Sequence, residues 1–452
     1  MSTDTIRSTS PQAPDDVVTE APALDATAVA KRATAAREAQ REWHALTTTA
    51  RANALAGAAR DLRAHREEAV ALVIREVGKP LGEAAGEVDR AIAILEYYAQ
   101  AAFAAIGELY PPSATGLLYT ERRPHGVAGL ITPWNFPIAI PLWKATPALI
   151  CGNAVLLKPS PDALATALFV EGLLQPHLPD GLFTVVPGGP QAGEAVVAAA
   201  DVLSFTGSVS VGAQATVAAA TRGIAVQAEM GGQNAAIVLP DADPERTATM
   251  IAGAAMGYAG QKCTATRRVL VVGDGEPFIE AFVAAVRALA PADPAQAGVA
   301  VGPVITEGAR ERVLAAAAAV RDSGGRILTG SGAPDRDGWF VEPTVVDGVG
   351  TDHPVMREET FGPLAAIHRV ATLEEAVEVA NGVRFGLVTS LHGRDISELL
   401  RGVAAIDTGM IKVNAPTSGV DFYAPFGGEK ESSYGGREQG PAALDFYSTT
   451  RT

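Results

Sequence analysis

Between residues 26 and 106 apolar side chains recur at three- and four-residue spacings. The stretches "ATAVAKRATAAREAQREW", "ARANALAGAARDLRAHREEAVALVIREV" and "GEAAGEVDRAIAILEYYAQAAFAAI" therefore predict three consecutive amphipathic helices, with Asp25 and Thr49 placed as caps. From residue 126 the period changes. Short β-like runs, "GVAGLI", "NAVLLK", "LFTVV" and "DVLSF", each end in turn residues and give way to an Ala-rich helical stretch, the pattern of a parallel sheet wrapped by helices. A second series, "NAAIVLP", "RRVLVV", "RILTG", "FVEPTVV" and "PLAAIHRV", begins near residue 235 and predicts a second α/β domain. The tail "DFYSTTRT" reads as a strand returning to pair elsewhere, whereas residues 1 to 22, polar and rich in Ser, Thr, Pro and Asp, read as a flexible arm.

The 452-residue length calls for two or three domains, and 48% hydrophobic with 19% charged residues is ordinary globular composition. A formal net charge of −15 without any dense Lys/Arg block disfavours nucleic acid and anionic membrane as partners. The N-terminal segment has no apolar signal region and no window is long enough to span a membrane, so a cytoplasmic location is expected. Two cysteines cannot form a disulfide framework, and neither lies in a CxxC pair or Cys/His cluster, so no metal is expected.

In a doubly wound sheet ligands sit beyond the carboxyl ends of the strands, and the candidate chemistry falls at such ends. In "GLITPWNFPIAIPLWKATPAL" Asn135 is held between Pro133 and Pro137 and flanked by Trp134 and Phe136; it is either a donor for a developing alkoxide or a turn residue beside core aromatics. Lys158, in "NAVLLKPSPDA", ends a buried strand, facing a nucleotide ribose or phosphate or else reaching solvent. In "DVLSFTGSVSVGAQATVAAA" a strand meets Thr206, Gly207 and Ser208 before a helix whose free N–H groups form an anion site; this is not the GxGxxG fingerprint. Glu229, in "AVQAEMGGQNAAIVLP", is either a desolvated general base or a solvated strand-end residue.

Cys151, in "PALICGNAVLL", reads as an inert core residue. Cys263 follows Tyr258, Gly260, Gln261 and Lys262 in the turn-prone "GYAGQKCTATRRVLV", where backbone N–H groups and a nearby cation are expected to favour a thiolate; a structural cysteine is the alternative.

Taken in order, "PWNFP", "KPSP", "FTGS", "EMGG", "GQKC", "EETFGP" and "PFGGEKESSYGGREQG" resemble the aldehyde dehydrogenase superfamily from about residue 25 onward, with Glu229 and Cys263 34 positions apart. The tail "SSYGGREQG" is similar to the branch that contains α-ketoglutaric semialdehyde (2,5-dioxopentanoate) dehydrogenases. The resemblance implies an α/β fold with a Rossmann-like cofactor domain (23–228, with 107–125 in an oligomerisation element), an α/β catalytic domain (229–418) and a return segment with an oligomerisation strand (419–452). It implies NAD or NADP as cofactor, a small-molecule aldehyde as substrate, and a homodimer or homotetramer. By the same resemblance Cys263 is the nucleophile, Glu229 the base for deacylation, Asn135 the oxyanion donor and Lys144 part of the proton relay. Trp134, Lys158, Ser160, Gly207, Ser208, Glu359 and Phe361 would meet the cofactor. Phe136, Trp143, Tyr258, Lys262, Thr264 and Phe426 would shape the substrate pocket, with hydroxyls of Thr417, Ser418 or Ser433 as further donors. Two departures stand out: much of the family's N-terminal strand segment is expected to be missing, and Pro161 stands where strongly NAD-selective members carry Glu.

Overall fold

The computed structural model of the chain describes residues 4–104 and 107–452, so residues 1–3 of the expected arm and 105–106 of the third expected helix lie outside the described residues. The N-terminus corrects the sequence reading. Thr5–Ser10 (β1) and Ala13–Pro22 (β2) pair as an antiparallel ribbon rather than a loose arm, so N-terminal strands are present after all. Polar groups hold the ribbon down: buried Ser8 donates its Oγ hydrogen to Glu76 at 2.8 Å, Gln12 Nε2 donates to Ile74 O at 3.0 Å, and Arg75 grips Asp16 through bonds of 2.9 and 2.7 Å. A polar stretch stays disordered only when no distant element offers partners.

The helical region is divided differently from its periodicity. It forms Ala26–Ala45 (α1), Thr48–Ala64 (α2), Arg66–Val77 (α3) and Leu81–Ala101 (α4). Asp25 caps α1 by accepting from Ala28 N at 2.8 Å, but Thr47 rather than Thr49 caps α2. The second expected helix is two, broken at His65, whose backbone leaves the helix while its ring Nδ1 lies 2.8 Å from Asp61 O. Apolar residues continue on both sides of the break, so the spacing could not reveal it.

After the short strands Leu109–Tyr110 (β3), Leu118–Tyr119 (β4) and Glu121–Pro124 (β5), the chain enters alternating α/β structure. Val127–Thr132 (β6), Ala139–Ile150 (α5), Ala154–Pro159 (β7), Leu164–Leu174 (α6), Phe183–Val185 (β8), Pro190–Ala199 (α7), Val202–Thr206 (β9), Val209–Thr221 (α8) and Ala225–Glu229 (β10) follow in turn. They build a six-stranded sheet ordered Ser433–Tyr434, β10, β9, β6, β7, β8, parallel except for its first strand. Every residue of α5 is buried, including Trp143 and Lys144, because this helix is sandwiched between the sheet and α4.

The second sheet has seven strands. Ala235–Val238 (β11) precedes Pro244–Met256 (α9), and Arg268–Val272 (β12) follows; the sheet order is Arg326–Thr329, Thr344–Asp347, Leu364–Val370, β12, β11, Val388–His392, Met410–Val413. Only Arg326–Thr329 runs antiparallel, and residues of both sheets join one continuous apolar core. The tail does return: Ser448–Arg451 pairs antiparallel with β5.

Candidate active site

Register places the candidate residues along one edge. Glu229 pairs with Thr206 and Thr132 with Pro159, so β6, β7, β9 and β10 present Asn135, Lys158, Ser208 and Glu229 from the same carboxyl ends. Cys263 comes from the other half of the chain. The polypeptide leaves α9 through Tyr258, Ala259 and Gly260, all three in the left-handed region (φ 55, 51 and 66). A left-handed conformation costs roughly 1–2 kcal/mol at each residue with a Cβ, so this turn persists only because its surroundings enforce it. Gly260 is needed there: a Cβ would lie 2.3 Å from Gly362 O.

The loop so formed is clamped from several sides. Asn135 Nδ2 donates to Gln261 O at 2.9 Å, Gln261 Oε1 accepts from Ile305 N at 2.8 Å, and Asn234 Nδ2 donates to the Cys263 carbonyl at 2.7 Å. Asn135 retains a second N–H to offer. The Cys263 side chain lines two cavities, of about 430 and 330 Å³, which share Ile140, Thr206, Met230 and Cys263 as their common wall. The larger is lined by Phe136, Trp143, Glu229, Lys262, Thr264, Ser418 and Phe426 among others, with Trp143 and Phe426 ring centroids 6.0 Å apart. The smaller is lined by Trp134, Asn135, Gly207, Ser208, Glu359 and Phe361, with Trp134 and Phe361 edge to face at 5.8 Å.

The electrostatics differ from the sequence expectation. Burial, then the carboxylates of Glu359, Glu229 and Glu438, push the Cys263 thiol up to about 12, opposed only by the Thr264 N–H. Lys262 is not the stabilising cation, because its ammonium is paired with Glu83. Glu229 is held well above the ordinary carboxylate range by burial and by Glu438, against a hydrogen bond of 2.5 Å from Ser433 and the charges of Lys144 and Arg437. Burial likewise raises Glu359 to about 7, although Arg267 and the Gly232 N–H favour its charged form.

Lys144 donates to Ser204 Oγ at 2.7 Å and is ion-paired with Glu438, whose other oxygen accepts from Trp143 Nε1 at 2.7 Å. Glu438 was missed in the sequence, although it sits in the quoted "REQG"; Asn234 was missed as well. Tyr258 corrects a further expectation, since it is fully buried and donates to Val77 O at 3.1 Å instead of lining a cavity. Thr417 is also buried, in a hydroxyl pair with Thr266 at 2.9 Å.

The smaller cavity suits the anionic part of a dinucleotide on two observations. Ser208 is the N-cap of the 13-residue α8 yet makes no capping bond, and Thr206 Oγ1 is buried without a partner. Lys158, brought down to about 8 by burial, and Ser160 lie just behind this wall rather than on it. The carboxylate missing at Pro161 is supplied one residue later: Asp162 lines the cavity and accepts from Ser160 Oγ at 3.3 Å.

Two α/β sheets whose junction places a cysteine between two cavities give the architecture of a two-site enzyme. The aldehyde dehydrogenase family model matches residues 1–452, and the chain belongs to that family; its chemistry is the oxidation of an aldehyde. It is 37% identical to an α-ketoglutaric semialdehyde dehydrogenase of Bacillus subtilis (strain 168), over 99% of this chain and 94% of the relative. An NAD-dependent aldehyde dehydrogenase from Sinorhizobium meliloti superposes with a TM-score of 0.95 at 33% identity, covering 99% and 90% of the two chains. Betaine aldehyde dehydrogenase from Staphylococcus aureus, solved in complex with NAD+, superposes with a TM-score of 0.95 at 28% identity, covering 99% and 91%.

Proposed function

We propose that this enzyme oxidises an acidic semialdehyde to the carboxylic acid through covalent adducts on Cys263, using a nicotinamide dinucleotide. One observation carries the reading: Cys263 stands where the two cavities meet, with Glu229 lining one and Asn135 the other. The sulfur attacks the aldehyde carbon and its proton leaves to a base; the resulting alkoxide is received by the free N–H of Asn135 and the backbone N–H of Cys263. A bound nicotinamide would supply the acceptor for the hydride of that carbon, and Cys263 would then hold the acyl group as a thioester. Glu229, its basicity raised by burial, then takes a proton from the water that splits the thioester, and Lys144 with Glu438 passes that proton on. A CoA-acylating relative would not need this base.

Trp134, Gly207, Ser208, Glu359 and Phe361 would hold the cofactor, and Asp162 on the cavity wall supports a preference for NAD, because a carboxylate beside the ribose repels a 2′-phosphate. A homodimer or homotetramer is supported by Leu109, Tyr110, Leu117 and Tyr119, exposed around β3 and β4, and by the edge strand Met410–Val413 of the second sheet. Both cysteines are free, which suits a cytoplasmic location.

The test is a panel of succinic semialdehyde, α-ketoglutaric semialdehyde, hexanal and benzaldehyde, followed at 340 nm with NAD and NADP separately. Higher kcat/KM for the two semialdehydes, and for NAD, is expected. Equal or better kcat/KM for hexanal or benzaldehyde would remove the acidic substrate and leave the aldehyde oxidation standing.

A further inference from the structure

One face of α4 forms a wall of the larger cavity. Gly82, Glu83, Gly86, Glu87 and Arg90 recur there at helical spacing, opposite Cys263, Glu229 and Phe426. Two glycines inside a helix cost about 1 kcal/mol each relative to alanine. Packing does not require them, since a Cβ at Gly82 or Gly86 would meet nothing within 4 Å. They leave room in the cavity, and Gly86 is one turn from Arg90.

Charges on this wall are matched except for one. Glu83 is ion-paired with Lys262, and Glu87 is ion-paired with Lys79, whose ammonium lies 3.7 Å from the Phe136 ring centroid. Glu87 also accepts from the N–H groups of Ile138 and Ala139 at 2.9 and 3.0 Å, so both carboxylates are occupied. Among the described residues Arg90 makes neither a hydrogen bond nor an ion pair. It is largely withdrawn from solvent, and its strongest electrostatic neighbour is Asp421, followed by Glu87 and Glu83. A partly buried guanidinium whose five donors find no partner within the chain is free to receive an anion, and its planar fork fits a carboxylate.

We propose that Arg90 binds the terminal carboxylate of the aldehyde substrate and sets the preference for acidic semialdehydes. The proposal rests on the acidic-substrate reading above and names its anchor. Lys262, the cation adjacent to the thiol in sequence, is excluded from this role by its pairing with Glu83. Asp421, which is exposed, is the group a substrate carboxylate must outcompete.

The experiment compares wild type, Arg90→Met and Arg90→Lys on succinic semialdehyde against butanal and on α-ketoglutaric semialdehyde against pentanal, with glutarate as an inhibitor of pentanal oxidation. In Arg90→Met the acidic-to-neutral ratio of kcat/KM is expected to fall about 10- to 100-fold, the worth of a charge-assisted hydrogen bond. The loss is expected mainly in KM, with glutarate inhibition weakened in parallel and Arg90→Lys recovering part of both. A ratio and a glutarate inhibition constant unchanged in Arg90→Met overturn the assignment of Arg90 while the acidic-substrate reading stands. Equal losses on acidic and neutral substrates also overturn it, as those of a merely structural residue. A wild-type enzyme without acidic preference overturns the substrate reading and this proposal together.

Discussion

Both cysteines have thiols pushed up to about 12 by burial, yet their surroundings are opposite. Cys151 ends α5 with an ordinary backbone and has the cations Arg51 and Arg122 in electrostatic reach. It lines neither cavity, and its sulfur lies 3.6 Å from Leu444 O. Cys263 has carboxylates around it, follows a strained left-handed turn and opens onto both cavities. A search for the more acidic thiol, guided by neighbouring charge, would select Cys151. What distinguishes Cys263 is access, together with Glu229 on the wall of one cavity and Asn135 on the wall of the other.

The sharpest way to break this contrast is to delete each sulfur. Cys263→Ala is expected to lower turnover at least about 10⁴-fold, as loss of a covalent nucleophile does, with an unaltered thermal melt. Cys151→Ala is expected to keep most activity; the reverse pattern would exchange the two assignments.

Glu229→Gln probes the partner that only Cys263 has. Steady-state turnover is expected to drop about 10²- to 10⁴-fold through loss of the base, while a burst of reduced cofactor survives in stopped-flow records. Wild-type steady-state rates in this variant would defeat the role of Glu229.

The smallest effect separates the thiols by access alone. Alkylation of Cys263 by iodoacetamide should still climb about tenfold per pH unit at pH 9, because a raised thiol pKa leaves only a small thiolate fraction below it. Cys151 should react more slowly at every pH, as judged by mass spectrometry of the two peptides. A plateau for Cys263 below pH 8 would show a thiolate already formed in the free enzyme.

Local pattern made much of the site legible. The strand-end positions of Asn135, Lys158, Ser208 and Glu229 follow from short apolar runs ending in turn residues, and parallel pairing then aligns them. Asn135 between two prolines and Cys263 after a glycine-rich turn were visible for the same reason: each depends on a few consecutive residues. The break at His65 was not visible, because a side chain competing for Asp61 O leaves the apolar spacing intact. Nor was the N-terminal ribbon, whose anchors are single polar contacts with residues about sixty positions away, as in Gln12 to Ile74.

The two α/β halves and the strand ends that carry the candidate residues were thus determined by the sequence itself, through periodicity and turn chemistry acting over short spans, while Cys263 was singled out from Cys151 by the ordered motifs that resemble the family. Which charges meet was decided only by the tertiary structure. Lys144 and Glu438 are 294 positions apart, Lys262 and Glu83 are 179 apart, and Asp162 reaches the cleft where Pro161 had suggested that no carboxylate would. The physical reason is that the free energy of a buried charge depends on its distance to every other charge and on the water excluded between them, and both quantities exist only once the chain has packed.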